Sequence, residues 1–206
     1  YKQALKIRPD FAEAYYNMGI ALKGNGELEA ALASYKQALK IKPDFTEAYF
    51  NMGDVLKGLG FSKPRPDLHE VISSLLDHAT YVRPSDIAQA AISLLKFEPV
   101  IRELLEEHSV GKLRQSLHET IVGLSEYPLL LKLMSICPLP DLEFEAVLTD
   151  IRSALLSSVS ENIAAPEILR FQSVLALQCF TNEYVYTQND KETEALETLK
   201  LEIEKT

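Results

Sequence analysis

Blocks of this 206-residue sequence return 34 residues later. Tyr1-Lys-Gln-Ala-Leu-Lys-Ile7 recurs as Tyr35-Lys-Gln-Ala-Leu-Lys-Ile41, Pro9-Asp-Phe11 as Pro43-Asp-Phe45, Glu13-Ala-Tyr15 as Glu47-Ala-Tyr49, and Asn17-Met-Gly19 as Asn51-Met-Gly53. A repeat of this length is one supersecondary unit that cannot bury its apolar face alone, so neighbouring units must stack. Gly19 and Ala31 are small where two antiparallel helices have to approach closely. Tyr15, Leu22, Leu32 and Tyr35 are bulky where the space between them must be filled. Gly26 falls in the turn between the helices, where positive φ is tolerated without a Cβ. Pro43 stops the second helix, and either Asp44 or Thr46 is placed to cap the next one.

The repeat length and its small-residue positions resemble the tetratricopeptide repeat family. One complete unit spans Ala12 to Phe45, with Tyr15 at the family's Trp position, Met18-Gly19 at its Leu-Gly pair and Leu22 at its Tyr position. Ala31, Tyr35, Ala38 and Pro43 occupy the later positions. A half unit precedes it (Tyr1–Pro9) and another follows (Thr46–Gly60). The match stops at Phe61-Ser-Lys-Pro-Arg-Pro-Asp67, since Pro64 and Pro66 cannot stand inside a helix. The expected organisation is repeats over 1–60, a Pro-containing linker over 61–66, and an α-helical domain over 67–206. Stable solenoids usually need three or more units, so either further repeats precede these or the later helices cap the stack. The sequence begins without Met and in the middle of a repeat, which suggests a piece of a longer protein.

In this family the first helix of each unit lines a concave face that takes up peptides or protein segments. Carried over by position, the groove residues are Tyr16, Asn17, Ile20 and Lys23 in one unit and Phe50, Asn51, Asp54 and Lys57 in the next. Asn17 and Asn51 stand at matching positions, and an amide offers both a donor and an acceptor to a peptide backbone. Such an asparagine ladder resembles the repeats of glycosyltransferases that act on proteins. The alternative is that each Asn satisfies local backbone or water. Lys23 and Lys57 either attract acidic groups or are solvated helix ends.

Beyond Asp67 the apolar residues recur at helical spacing. Leu68, Val71, Ile72, Leu75, Leu76 and Ala79 form a stripe over Asp67–Thr80; a second helix from Pro84 turns Ile87, Ala91, Leu94 and Leu95 inward. Further helices are expected over Pro99–His108, Lys112–Leu124, Tyr127–Ile136, Leu142–Val159, Pro166–Tyr186 and Lys191–Lys205, the last peripheral. Strand signals are absent, so the fold class is all-α: a helix-turn-helix solenoid continuing into an α-helical domain. Pro128-Leu-Leu-Leu131, Leu142-Glu-Phe-Glu-Ala-Val-Leu148, Ile151-Arg-Ser-Ala-Leu155 and the stretch Leu175–Val185 resemble the helical region of bacterial repeat-methyltransferase proteins. That resemblance implies a cofactor-binding catalytic domain after Thr206 in the parent, a methyltransferase using S-adenosylmethionine. Gln178, Asn182 and Glu183 in this stretch are expected to make interhelical hydrogen bonds more often than ligand contacts.

Charge separates the two regions. Residues 1–63 carry nine Lys/Arg against seven Asp/Glu, whereas the remainder carries twelve against twenty-three. An acidic surface repels phosphate backbones and argues against nucleic-acid binding. Cys137 and Cys179 lack partners at metal-ligand spacing and read as free thiols of a reducing compartment. No apolar run reaches the ~20 residues needed to span a bilayer, so a cytoplasmic protein with no membrane partner is expected. His118-Glu119-Thr-Ile-Val122 lacks the second His of a zinc protease helix. His69, His78, His108 and His118 show no ligand spacing. Glu103, Glu106 and Glu107 read as a solvated helix face. There is no nucleophile elbow, P-loop or dinucleotide fingerprint, so neither catalysis nor a cofactor is expected in this chain. The leading expectation is a protein-interaction module; the alternative is a substrate-recruiting region of a larger methyltransferase. A third reading is self-assembly through open repeat ends that include Ala4 and Leu5.

Overall fold

The computed structural model describes residues 1–77, 82–111, 116–157, 166–181 and 189–203. Among them are twelve α-helices, one 3-10 turn and no strand, the all-α architecture expected. The chain divides into two compact units, residues 1–94 and 95–206.

In the first unit, α1 (Lys2–Ile7), α2 (Ala12–Gly24), α3 (Leu28–Ile41) and α4 (Thr46–Leu56) follow the repeat. Helices α2 and α3 form an antiparallel hairpin. Its turn is built by Gly26 at φ 79°: Gly26 N–H donates to Lys23 O (3.0 Å) and Glu27 N–H to Leu22 O (2.9 Å), closing the end of α2 with a left-handed glycine. Ala31, Leu32, Tyr35 and Ala38 are fully buried along α3, whereas Tyr15 and Leu22 are half-buried. Gly19 is required by the close approach, because a Cβ there would lie 2.5 Å from the Tyr35 ring. Neither Asp44 nor Thr46 caps α4. Phe45 stands at the N-cap position, and no side-chain cap is formed. The Phe45 ring packs with Ala12, Ala38 and Ala48 instead, so apolar contact sets where α4 begins.

The unit continues through a 3-10 turn (Pro66–Leu68), α5 (His69–Asp77) and α6 (Pro84–Leu95). The compact unit therefore runs past the linker expected at 61–66, and the division falls after Leu94. Leu68, Ile72, Leu75, Ile87, Ala91 and Ile92 in the turn, α5 and α6 are fully enclosed, which removes their apolar area from water. Polar contacts fasten the proline segment as well. Phe61 N–H donates to Ser93 Oγ at 2.9 Å. Asp67 receives Arg65 Nε (2.9 Å) and Nη2 (3.1 Å), and its carbonyl receives Lys36 Nζ (2.8 Å).

The second unit contains α7 (Pro99–Ser109), α8 (Leu117–Ser125), α9 (Pro128–Ile136), α10 (Leu142–Ser157), α11 (Pro166–Thr181) and α12 (Asp190–Ile203). Proline opens α7, α9 and α11, where its missing N–H costs nothing. Ile101, Ile121, Leu130, Leu133, Leu148 and Phe171 form its interior. Helix α8 starts at Leu117 rather than Lys112, because Ser116 and Glu119 form a reciprocal capping box; residues 112–115 lie outside the described residues. So do 158–159 and 182–186, the expected ends of α10 and α11, together with His78, Asn182, Glu183, Glu204 and Lys205. Glu107 is buried rather than part of a solvated face. Helix α12 turns one acidic side chain inward: Glu192 is buried and meets Arg152 Nη2 on α10 at 3.3 Å.

Gln178 is buried and its amide bridges helices, with nitrogen donating to Met134 O (3.0 Å) and Cys137 O (3.1 Å) and oxygen accepting from Leu139 N–H (3.1 Å). It thereby satisfies carbonyls freed where α9 ends at the Cys137-Pro-Leu-Pro140 break. Both cysteines are free thiols, and burial pushes the Cys137 thiol up to about 11. His108 Nε2 lies 2.9 Å from Asp150 Oδ2. Among the described residues no helix is long and apolar enough to cross a membrane.

Candidate functional site: the groove of α2 and α4

Helices α2 and α4 are the first helices of successive units, and each presents the same face of a repeated motif. Of the eight groove residues expected from sequence, the structure joins five to partners and leaves three outward. Asn51 Nδ2 donates to Tyr16 Oη (3.1 Å) and to the carbonyl of Glu47 one turn back (3.0 Å). Both amide hydrogens are thereby used. The Tyr16 ring leans on Phe45 with centroids 4.8 Å apart and stands 6.0 Å from the ring of Tyr35. Lys23 and Asp54 form an ion pair between α2 and α4, and Lys57 pairs with Asp86 at 3.2 Å. Such exposed pairs contribute about 0–1 kcal/mol each, but they cancel the two cationic charges of the groove.

The remaining three are Asn17, Ile20 and Phe50. Asn17 is half-buried, and its amide makes no hydrogen bond among the described residues. Ile20 is 42% exposed and Phe50 60% exposed, each on the first helix of its own unit. The two asparagines, equivalent in sequence, are therefore different groups: Asn51 ties α4 to α2, and Asn17 has its donors and acceptor available. The chemistry on offer is amide hydrogen bonding beside apolar contact area, with local charge already neutralised.

Sequence reasoning assigned Tyr35 to the core and missed its hydroxyl. The ring is fully buried against Gly19, and among the described residues the hydroxyl has no hydrogen-bond partner. Burial first, then the nearby Tyr16 phenol and the Asp54 carboxylate, push it up to about 12. A Tyr at a position that must pack against glycine was the available signal, since a buried hydroxyl needs a destination.

The TPR repeat model matches the chain at residues 1–26 and again at residues 25–60. No curated protein and no solved structure matches it. Repeats of this kind generally mediate protein–protein interaction and are typically non-catalytic. Over its first 60 residues the chain is therefore similar to tetratricopeptide repeat proteins.

Proposed function

We propose that the repeats bind a protein or peptide segment in the groove framed by Tyr16, Lys23, Asn51, Asp54 and Lys57, with Asn17, Ile20 and Phe50 as the contact surface. The observation that supports this reading is the exposure of Ile20 on α2 and Phe50 on α4, with an α2 amide, Asn17, that makes no hydrogen bond among the described residues. Apolar side chains left in water gain from being covered, and a free carboxamide can hold a backbone N–H and C=O together.

The test is capture of partners from lysate of the source cells by the chain and by an Ile20→Ser, Phe50→Ser variant of unchanged helicity. Both changes are at exposed positions, so folding should survive them. A partner retained by the original and lost by the variant supports the groove. Equal capture by both overturns it and directs attention to surfaces outside α2 and α4. Asn51 is unsuited to this test, because its removal also deletes the bond to Tyr16.

A further inference from the structure

A cleft of about 470 Å³ is lined by residues of α3, α4 and α5 and shares none of them with the groove of α2 and α4. Its size falls within the ~300–1,000 Å³ of pockets that hold small molecules. Leu39 and Val71 give it half-buried apolar surface, and Tyr49 Oη lies there 3.4 Å from Ser74 Oγ. Lys40 on α3 and Glu70 on α5 line it too, both exposed; among the described residues they pair neither with each other nor with any other charged group. We propose that this cleft binds a small zwitterion with an apolar body, such as a free dipeptide. Its carboxylate meets Lys40, its ammonium meets Glu70, and its apolar side chains cover Leu39 and Val71.

The repeat itself marks this cleft as a departure. Thirty-four residues before Glu70, Val71 and Ser74 stand Lys36, Gln37 and Lys40. Where α3 carries three long polar side chains, α5 has an acid, a short apolar residue and a hydroxyl, which leaves space and reverses one charge. The charges then select the ligand. Lys36 also lines the cleft, but its ammonium is held by the Asp67 carbonyl at 2.8 Å and the Asp67 carboxylate at 3.3 Å. One lysine is left, which suits the single charge of a carboxylate. A phosphate group brings about −1.5 to −2 charges and meets repulsion from Glu70. A purely cationic ligand meets repulsion from Lys40, and an uncharged one leaves both groups unanswered. A ligand with one charge of each sign answers both, and covering Leu39 and Val71 removes apolar area from water.

The full chain is titrated with the free dipeptide of leucine and phenylalanine, with its N-acetylated and C-amidated forms, and with inorganic phosphate. Binding is read by NMR from the Leu39 and Val71 methyl groups and the Tyr49 ring. The free dipeptide is expected to bind, and each cap to weaken it about fivefold, the worth of one exposed ion pair. Glu70→Gln should weaken the free dipeptide by the same factor and leave the acetylated form unchanged, and Lys40→Gln should do likewise with the amidated form. Both residues are exposed, so folding should survive either change. Ser74→Lys, which puts back the side chain of the preceding repeat, should weaken binding at least about tenfold by filling the cleft; if it loses helicity, the two charge variants decide. Caps without effect, a Glu70→Gln loss as large for the acetylated form as for the free one, a preference for phosphate, or no shift at these three residues overturns the inference. None of these outcomes touches the groove reading, which concerns other residues.

Discussion

Helices α2 and α4 carry nearly the same motif, Ala14-Tyr-Tyr-Asn-Met-Gly19 and Ala48-Tyr-Phe-Asn-Met-Gly53, in unlike surroundings. In the first, Gly19 receives the ring of Tyr35 from the second helix of its own unit. In the second, Gly53 receives Val82, which lies beyond α5. Position 69, the counterpart of Tyr35 one repeat later, is a half-buried His. The second unit keeps the demand for a bulky neighbour at its glycine and meets it from a different part of the chain. Burial follows suit: Tyr49 and Met52 are buried whereas Tyr15 and Met18 are half-buried, and Tyr49 Oη lies 3.4 Å from Ser74 Oγ on α5. A shared motif thus determines the helix and the side on which it must be small, and leaves the partner open.

The largest test of this contrast removes the two counterparts in turn. Tyr35→Ala should cost about 3–5 kcal/mol, as for other large buried rings, whereas His69→Ala should cost about 1 kcal/mol or less. Chemical denaturation followed by helicity measures both; comparable losses would mean that His69 packs as Tyr35 does. Next come the glycines. Gly19→Ala drives a Cβ into a ring that has no free space and should cost about 1–3 kcal/mol, less the ~1 kcal/mol that alanine returns in helix propensity. Gly53→Ala meets the half-buried Val82 side chain, which has more freedom to shift, and should cost less; thermal melts of the two variants decide it.

The asparagines sharpen the comparison at smaller amplitude. Asn51→Ala should lose about 0.5–1.5 kcal/mol with its two hydrogen bonds, while Asn17→Ala should leave stability unchanged or slightly raised by alanine's helix propensity. Equal effects would contradict the difference in bonding seen here. Asp67, which anchors the segment that replaces a regular second unit, gives a small effect that depends on pH. The Arg65 hydrogen bond holds its carboxyl at about 2, below its ordinary value of 3.8. That contribution is present above about pH 4 and lost as the pH falls through 2. Because the group is 43% exposed, Asp67→Asn should cost about 1 kcal/mol or less at neutral pH and flatten the acid limb between these values in a pH series of melts.

Much of the first 60 residues is legible in the sequence. The offset, the turn glycine and the small residue facing a large one are local or nearest-neighbour demands, and Gly26, Gly19 and Tyr35 meet them as expected. The helices of the later region were readable from apolar spacing, but that spacing puts the α8 start at Lys112, because it does not mark the capping box of Ser116 and Glu119. The cap on α4 was not legible either, because Phe45 takes that position through contacts made by its ring. Nor was the burial of Glu107 and Glu192, for an acidic residue announces a solvent face unless an element distant in sequence covers it.

For the site, position in the repeat was enough to name which residues line the first helices. It could not distinguish Asn17 from Asn51, or tell that both lysines are neutralised, since each of those facts depends on a side chain about thirty residues away. The sequence by itself determined helix placement, the hairpin and which residues share a face of α2 and of α4, because these follow from periodicity and steric fit within a single unit. Only the tertiary structure decided which groups on that face are already engaged, because hydrogen bonds and ion pairs between units require the helices to be brought together first.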